Sequence, residues 1–149
     1  MVLYMKKLLN KEFILNVLIP IILGAIIGFI SNTKVYGTFN KPLLSPPGII
    51  FPIVWTILYF LMGLGNYLTN NESKFYKIQL VVNLIWPLIF FRLNWYLVAF
   101  FWLILLIVLV ICMLKDFLNT KKEAFYFNLP YLFWLLFAAY LNFGVYLLN

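Results

Sequence analysis

Five long apolar stretches restrict this chain to a small number of folds. A helix needs about 20 apolar residues to cross the ~30 Å hydrocarbon core of a bilayer. Hydrophobic residues make up 66% of the sequence and charged residues 10%, whereas an average soluble domain carries about 25% charged residues. Short polar segments separate the stretches and leave no room for a soluble domain. The sequence therefore predicts an all-α integral membrane protein, a single five-helix transmembrane bundle over residues 1–149, with spans at about 13–30, 49–68, 75–91, 95–113 and 124–148.

Two of the polar segments have a predicted form. The segment KDFLNTKKE, residues 115–123, is expected to be the loop between the fourth and fifth spans. Residues 92–94 are expected to form a very tight turn between the third and fourth spans.

The basic residues predict the orientation of the chain in the membrane. The net charge is +7, but the basic residues are scattered over the polar segments and form no basic face for nucleic acid. Eight lysines fall on the side of the N-terminus, and Lys34, Lys41 and Arg92 fall on the other side. Because cytoplasmic loops carry the excess of Lys and Arg, the N-terminus is expected in the cytoplasm and the C-terminus outside. The eight lysines are Lys6, Lys7, Lys11, Lys74, Lys77, Lys115, Lys121 and Lys122.

Residue types that commonly carry catalysis or ion transport are missing from the spans. The sequence has no histidine and one cysteine, Cys112, which excludes an internal disulfide and argues against a metal site. The four acidic residues, Glu12, Glu72, Asp116 and Glu123, lie in loops or at the ends of spans. Ion-coupled transporters place charged groups within the membrane, and hydrolases need an acid–base pair or a triad. Both classes are therefore disfavoured, and no metal or cofactor is expected to be required.

Three of the predicted helices carry aromatic and amide side chains on one face, because residues that recur every three or four positions share a face. Such stripes have two interpretations: Asn and Gln hold neighbouring helices together, or they line an apolar pocket together with tryptophan N–H donors. For any single residue the two are about equally favoured, and the convergence of three stripes favours the pocket. The stripes are Pro52, Trp55, Tyr59, Met62 and Asn66 in the second helix, Gln79, Asn83, Trp86 and Phe90 in the third, and Phe127, Pro130, Trp134, Ala138, Leu141 and Asn142 in the fifth.

Glycine and proline mark two further places. Gly24 and Gly28 form a GxxxG pair in the first span, which serves either dimerisation or packing within the bundle, with packing slightly favoured. In KPLLSPPGIIFPIVWTILYFLM, residues 41–62, the pair Pro46–Pro47 is expected at the start of the second helix, since proline is tolerated in a first turn. Pro52 is expected about one turn further in, where it would kink the helix or free a carbonyl near the pocket.

The proline-rich stretch, extended by Gly63, resembles the signature of a known family. KPLLSPPGIIFPIVWTILYFLMG is similar to the motif of the tryptophan-rich sensory proteins and peripheral benzodiazepine receptors, also called translocator proteins. QLVVNLIWPLIFF, residues 79–91, and LPYLFWLLFAAYLN, residues 129–142, resemble the third and fifth helices of that family. The order, the spacing and the number of spans agree over essentially the whole chain.

The resemblance implies a five-helix bundle, often dimeric, that binds tetrapyrroles such as protoporphyrin IX or haem beneath the first loop. Some members bind cholesterol or synthetic isoquinoline carboxamides. A sensory or stress-regulatory role is the first functional hypothesis. The ligand contacts that the resemblance implies for this chain are Pro46, Trp55, Tyr59, Asn83, Trp86, Trp134, Ala138 and Leu141.

The chain also departs from the family pattern. Val35 and Leu44 stand where tryptophans are common in the first loop, and Trp102 stands where many members carry an acidic residue. No Lys or Arg follows Tyr140, so the cholesterol-recognition pattern is absent. Sterol binding is correspondingly less expected.

A porphyrin is a flat apolar disc with two propionates at one edge, which defines the groups that a site must offer. Trp55 and Trp134 are expected to supply aromatic faces and Asn83 a hydrogen bond. Positive charge for the propionates is expected from Lys34, Lys41 and Arg92.

Two other functions remain open at this point. One is an enzyme that breaks down porphyrin in light through tryptophan radicals, for which Trp55 and Trp134 are the catalytic candidates. The other is passive transport of porphyrin or sterol.

Overall fold

The computed structural model describes residues 1–2 and 10–149, so Lys6 and Lys7 lie outside the described residues. The described residues form five helices that are long and apolar enough to cross a membrane, which confirms the predicted fold class. A short 3-10 helix, Thr33–Thr38, lies in the first loop. The five helices are α1 (Lys11–Ile30), α2 (Ile50–Leu68), α3 (Lys74–Pro87, continued by a π-helical turn to Arg92), α4 (Tyr96–Thr120) and α5 (Lys122–Leu148).

The helices pack in the order α1, α2, α5, α4, α3 around the bundle. Adjacent helices in this order are in extensive contact, and α3 closes the ring against α1 with a smaller contact. Helix α1 therefore lies at the edge where the ring is loosest. Of its residues, Val17 and Pro20 are buried, whereas Ile22 and Ile26 are half exposed and Phe29 is 91% exposed. This apolar surface would be unfavourable in water and is suited to contact with lipid.

Buried amides and an indole join the helices. Asn128 Nδ2 donates to the carbonyl of Leu61 at 3.1 Å, which ties α5 to α2. Trp102 Nε1 donates to the carbonyl of Val82 at 2.7 Å, which ties α4 to α3. In a bundle that lies in lipid, such bonds add to close packing, because burial of apolar surface does not distinguish protein from lipid. The side chain of Trp102, at a position where the family resemblance implies an acidic residue, thus joins two helices.

Helix α4 and the following loop differ from the sequence prediction. The fourth span was predicted to end near residue 113, with a loop over residues 115–123. The prediction of that loop is wrong. Helix α4 continues to Thr120, and a single residue, Lys121, with φ −152° and ψ 118°, separates α4 from α5. Hydropathy marks where a helix leaves the hydrocarbon, whereas the backbone hydrogen bonds of a helix continue into the polar region.

Two features at the loop end of the bundle follow from proline. Pro52 is the third residue of α2, within the first turn, where its missing N–H costs no helical hydrogen bond, so the predicted kink does not follow. In α3, Pro87 is followed by the π-helical turn, in which Leu93 donates to the carbonyl of Leu88 at 3.0 Å. A short turn with Asn94 at φ 56° then leads into α4, close to the predicted turn at residues 92–94.

The closest approach between α1 and α2 occurs at Gly63. A Cβ at this position would overlap the backbone oxygen of Asn16, so a larger residue requires the two helices to move apart. Gly24 allows a second close contact, because a Cβ there would overlap the ring of Tyr59. At Gly28, one turn further along α1, a Cβ would meet nothing within 4 Å.

We expect Gly63→Ala to destabilise the fold by about 1–3 kcal/mol, because backbone atoms cannot yield as a flexible side chain can. The measurement is the thermal unfolding midpoint of the detergent-purified protein. Gly28→Ala is the matched control and should unfold at or slightly above the wild-type temperature, because alanine favours a helix more than glycine does. Equal midpoints for Gly63→Ala and Gly28→Ala would contradict the close approach of α1 and α2.

Candidate ligand-binding site

A cavity of about 1060 Å³ lies among α1, α2 and α3, beneath the first loop. Ligand pockets usually measure about 300–1,000 Å³, so this one is large enough for a ligand of porphyrin size. Its deepest lining residues are Ile21, Tyr59 and Asn83, and the first loop forms its outer end. The lining is predominantly apolar, with a few polar side chains at the deep end and the rim.

A chain of hydrogen bonds forms the deep end of the cavity. The Tyr59 hydroxyl donates to Asn83 Oδ1 at 2.8 Å, Asn83 Nδ2 donates to the Tyr131 hydroxyl at 2.5 Å, and that hydroxyl donates to Gln79 Oε1 at 2.7 Å. Gln79 Nε2 lies 3.6 Å from the sulfur of Met62. All of these residues are buried. The network connects α2, α3 and α5 and holds Asn83 in one orientation, and each amide atom of Asn83 can still make one further bond.

Two tryptophans form aromatic walls. The ring of Trp55 lies 5.6 Å from that of Tyr59 and meets Tyr131 edge-on at 6.3 Å. Trp86 stacks on Phe90 at 5.1 Å, and its Nε1 donates to Asn142 Oδ1 at 3.0 Å. Each indole is thereby held in place by a residue of α5.

The first loop covers the outer end of the cavity and is held by Tyr36. The Tyr36 hydroxyl donates to the carbonyl of Pro46 at 2.6 Å, which joins the two halves of the loop. The Tyr36 ring packs edge-on against Phe51 at 4.9 Å, and Lys41 Nζ lies 4.8 Å from its centre. Burial raises the pKa of the Tyr36 phenol, and a hydrogen bond with Ser45 lowers it by a smaller amount. Tyr36 therefore stays protonated and remains a donor at neutral pH.

The middle of the loop is fixed to the far end of α5. Asn149 donates to the carbonyl of Asn40 at 2.8 Å and accepts from its amide at 3.1 Å. The Tyr140 hydroxyl donates to the carbonyl of Leu43 at 2.7 Å. Pro42 packs against Gly144, where a Cβ would overlap the proline ring. These contacts position the loop over the bundle.

The structure places some of the predicted site residues on the cavity and others away from it. The lining includes Pro46, Trp55, Tyr59, Asn83 and Trp86, together with Lys34 and Lys41 at the rim. Trp134, Ala138 and Leu141, all on α5, are not part of the lining. Arg92 is not part of it either, and donates to the carbonyl of Ile30 at 3.0 Å.

Trp134 lies one residue away from the cavity. Phe51, which lines the cavity, meets Trp134 edge-on at 5.9 Å. Trp134 Nε1 is buried, and no hydrogen-bond acceptor reaches it from the described part of the chain. A change of the Phe51 rotamer would be needed to bring this indole to a ligand.

Sequence reasoning missed part of the site. Gly24, Ala25 and Gly28 line the cavity from α1, so this part of the first helix provides space as well as packing. Tyr36 was not singled out, although its hydroxyl holds the loop closed. The small residues of α1 were a usable signal, because small side chains on one helical face leave volume next to a bulky stripe on a neighbouring helix. Among the described residues there is no group of three or more His, Cys, Asp or Glu side chains that could hold a metal ion.

Comparison with known proteins identifies a matching family and several relatives. A model of the TspO/MBR family matches residues 16–148. The chain is 34% identical to the tryptophan-rich protein TspO of Chlorobaculum tepidum, over 95% of this chain and 99% of the relative. It is 32% identical to the tryptophan-rich sensory protein of Cereibacter sphaeroides, over 76% of each chain. It is 34% identical to the translocator protein of Ovis aries, over 72% of this chain and 70% of the relative.

Tyr131→Phe removes the hydroxyl in the middle of the buried network and leaves Asn83 and Gln79 each without one partner. We expect a loss of about 1–3 kcal/mol of stability, because buried polar groups that lose a partner are not rehydrated. The measurement is again the thermal unfolding midpoint in detergent. Tyr126→Phe, at a residue that is 61% exposed, is the control. If the two variants unfold at the same temperature, the network does not support the deep end of the cavity.

Proposed function

We propose that this chain, which belongs to the TspO/MBR family, binds a tetrapyrrole such as protoporphyrin IX or haem within the membrane and has a sensory or stress-regulatory role. The observation that carries the proposal is the cavity of about 1060 Å³, with aromatic walls, a buried amide at its deep end and lysines at its rim. Relatives named tryptophan-rich sensory protein and translocator protein support the same class of function. The tetrapyrrole is proposed as a ligand, and no further cofactor is proposed.

The shape of the cavity suits a flat apolar disc with one charged edge. The indoles of Trp55 and Trp86 offer faces for the ring, and aromatic contacts add about 0.5–1.5 kcal/mol each beyond burial. Asn83, held by Tyr59 and Tyr131, can bond to a ring nitrogen or a polar substituent. The propionates would then lie toward the loop, where water and positive charge are available.

Lys34 is the first candidate partner for a propionate. It lines the cavity, and among the described residues its ammonium group has no hydrogen-bond or ion-pair partner. Lys41 also lines the cavity, but its Nζ already lies near the Phe39 carbonyl at 3.4 Å and over the Tyr36 ring. Arg92, bound to the Ile30 carbonyl outside the lining, would have to leave that bond to contribute.

The closed deep end favours binding over passage across the membrane. In the part of the chain that the structure describes, no residue beyond Ile21, Tyr59 and Asn83 lines the cavity toward the N-terminal end of α1. A porphyrin or sterol that crossed the protein by this route would have to break the buried hydrogen-bond network. Passive transport through the cavity is therefore the less favoured alternative.

Light-dependent porphyrin breakdown is a second candidate function, favoured by the placement of Trp55 in the wall beside Tyr59 and Tyr131. Such chemistry needs an aromatic side chain that can exchange an electron with the excited porphyrin. Trp134 would not contact the porphyrin directly, because Phe51 lies between Trp134 and the cavity.

Two further proposals concern the orientation of the protein in the membrane and its assembly. The lysines at the start of α3 and the end of α4, together with Lys121 and Lys122, favour a cytoplasmic N-terminus and an external C-terminus. The family resemblance favours a homodimer and an isoquinoline carboxamide as a synthetic ligand. The GxxxG pair does not offer a dimer surface, since Gly24 is covered by Tyr59 and Gly28 lines the cavity.

Protoporphyrin IX should bind saturably to the purified protein, and Lys34→Gln should weaken that binding. The loss should be about two- to fivefold, the size expected for a partly exposed ion pair of up to ~1 kcal/mol. Binding is measured from the quenching of tryptophan fluorescence. Lys122→Gln, at the opposite end of the bundle, is the control, and protoporphyrin dimethyl ester is the comparison ligand that lacks the charges.

The two ligands separate binding from propionate pairing. Non-saturable quenching by wild type would contradict the proposed function. An equal loss for the acid and the ester in Lys34→Gln would leave the function standing and contradict the pairing with Lys34.

Illumination of the protoporphyrin complex tests the second candidate. If Trp55 supplies the electron, Trp55→Phe should bleach the porphyrin more slowly than wild type at equal occupancy, because phenylalanine is much harder to oxidise. Absorbance of the porphyrin band during illumination gives the rate, and Trp95→Phe, at an exposed residue outside the cavity, is the control. Identical bleaching in all three proteins would remove photodegradation by this route.

A further inference from the structure

Helices α1 and α2 diverge toward the first loop. They touch most closely where Gly63 meets the backbone of Asn16, and again where Gly24 meets the ring of Tyr59. One turn later, at Gly28, a Cβ would find no atom within 4 Å. The two helices therefore form a wedge that is closed toward the N-terminal end of α1 and open toward the loop.

The open part of the wedge leads into the cavity. Ala25 and Gly28 line the cavity from α1, and Pro52 and Thr56 line it from α2. Ala25, Pro52 and Thr56 are exposed. A Cβ at Gly28 would meet no atom of another helix or of the first loop within 4 Å among the described residues. The cavity thus has an opening on the side of the bundle, between two helices.

The surface around this opening has the chemistry of a lipid-facing surface. Phe29 is 91% exposed, and Ile53 and Ile57 are 52% and 54% exposed on the adjacent face of α2. Thr56 is the polar side chain at the edge, and its hydroxyl donates to the carbonyl of Pro52 at 2.7 Å. The edge therefore presents no unpaired donor to hydrocarbon, where such a group would be costly.

The first loop, in contrast to this opening, is held closed over the cavity by hydrogen bonds. Tyr36 bonds to Pro46 across the loop, and Asn149 and Tyr140 hold its middle to α5. A ligand that arrived from water would have to displace these bonds, whereas a ligand that arrived from the bilayer would meet an opening that already exists.

We propose that the gap between α1 and α2, edged by Ala25, Gly28, Pro52 and Thr56, is a lateral entrance through which the ligand passes between the bilayer and the cavity. The inference rests on the proposed function, since it presumes that the cavity is occupied. It adds that the ligand is taken from the membrane phase. Its class is a flat, lipid-soluble molecule whose polar groups lie at one edge, so that they stay near the membrane surface while the apolar body moves sideways.

The test measures rates as well as affinity. Thr56→Phe narrows the entrance without occupying the deep end, so the association and dissociation rate constants should both fall by roughly fivefold or more while their ratio, Kd, stays within about twofold. The protein is reconstituted in phosphatidylcholine liposomes, and porphyrin fluorescence reports the binding and release of protoporphyrin IX.

Three control variants accompany the test. Thr56→Val keeps the size of the side chain and removes its hydroxyl. Ile57→Phe places the same aromatic ring at the neighbouring lipid-facing position. Thr38→Phe makes the same substitution on the first loop, at an exposed residue outside the cavity lining. All three should show wild-type rates.

Each outcome decides the proposal. A fall in both rate constants in Thr56→Phe, and in no control variant, supports the lateral entrance. A second supporting result is obtained with wild type by adding lipid at constant total porphyrin: the association rate should then follow the mole fraction of porphyrin in the lipid. Wild-type rates in Thr56→Phe overturn the proposal, as does slowing in Thr38→Phe, which would place the route through the loop. If only one of the two rate constants changes in Thr56→Phe, so that Kd changes, then Thr56 contributes to binding itself, and the proposal is overturned. Absence of saturable binding in wild type would contradict the proposed function itself.

Discussion

The buried hydrogen bonds among Tyr59, Asn83, Tyr131 and Gln79 join three of the five helices at one depth. In a bundle that is apolar inside and outside, burial alone cannot specify which helix faces meet, so polar groups that must find partners have a large effect on register. Tyr131 lies at the centre because its hydroxyl accepts from α3 at Asn83 and donates to α3 again at Gln79. This network determines where the cavity lies. It closes the deep end of the cavity, and the indoles beside the network form the cavity walls.

The first loop depends on the same arrangement indirectly. Its central part is attached to the end of α5 through Asn40 and Leu43, and α5 is itself attached to α2 and α3 by the network and by Asn128. The loop therefore covers the cavity at a height set by α5, although α5 contributes none of the lining. Residues of the fifth-helix motif can therefore set the height of the loop over the cavity without lining it.

The fold was predictable because long stretches without charge have few stable arrangements, whereas parts of the site were not. Hydropathy located the five helices, but it could not locate the end of α4, since Lys115 and Asp116 are compatible with a helix that has left the membrane. The stripe on α5 indicated an inward face only in its C-terminal half, where Ala138, Leu141 and Asn142 are buried, whereas Phe127 and Pro130 are exposed. A stripe also gives direction and not distance, and the Phe51 ring occupies the space between Trp134 and the cavity. The pair Gly24 and Gly28 was interpreted as one packing motif, but only Gly24 is packed. Distinguishing the two requires knowing that α1 and α2 diverge, which is a property of both helices together.

The empty space in front of Gly28 also bears on how proteins of this kind can diversify. A substitution at most buried helical positions changes stability and function together, and selection on one is limited by the other. Residue 28 has no neighbour to clash with, so successive methyl groups there would reduce the volume of the cavity while leaving the contact of α1 with α2 unchanged. A chain with this geometry can change the volume of its cavity by substitution at a single codon, without a compensating mutation elsewhere in the bundle.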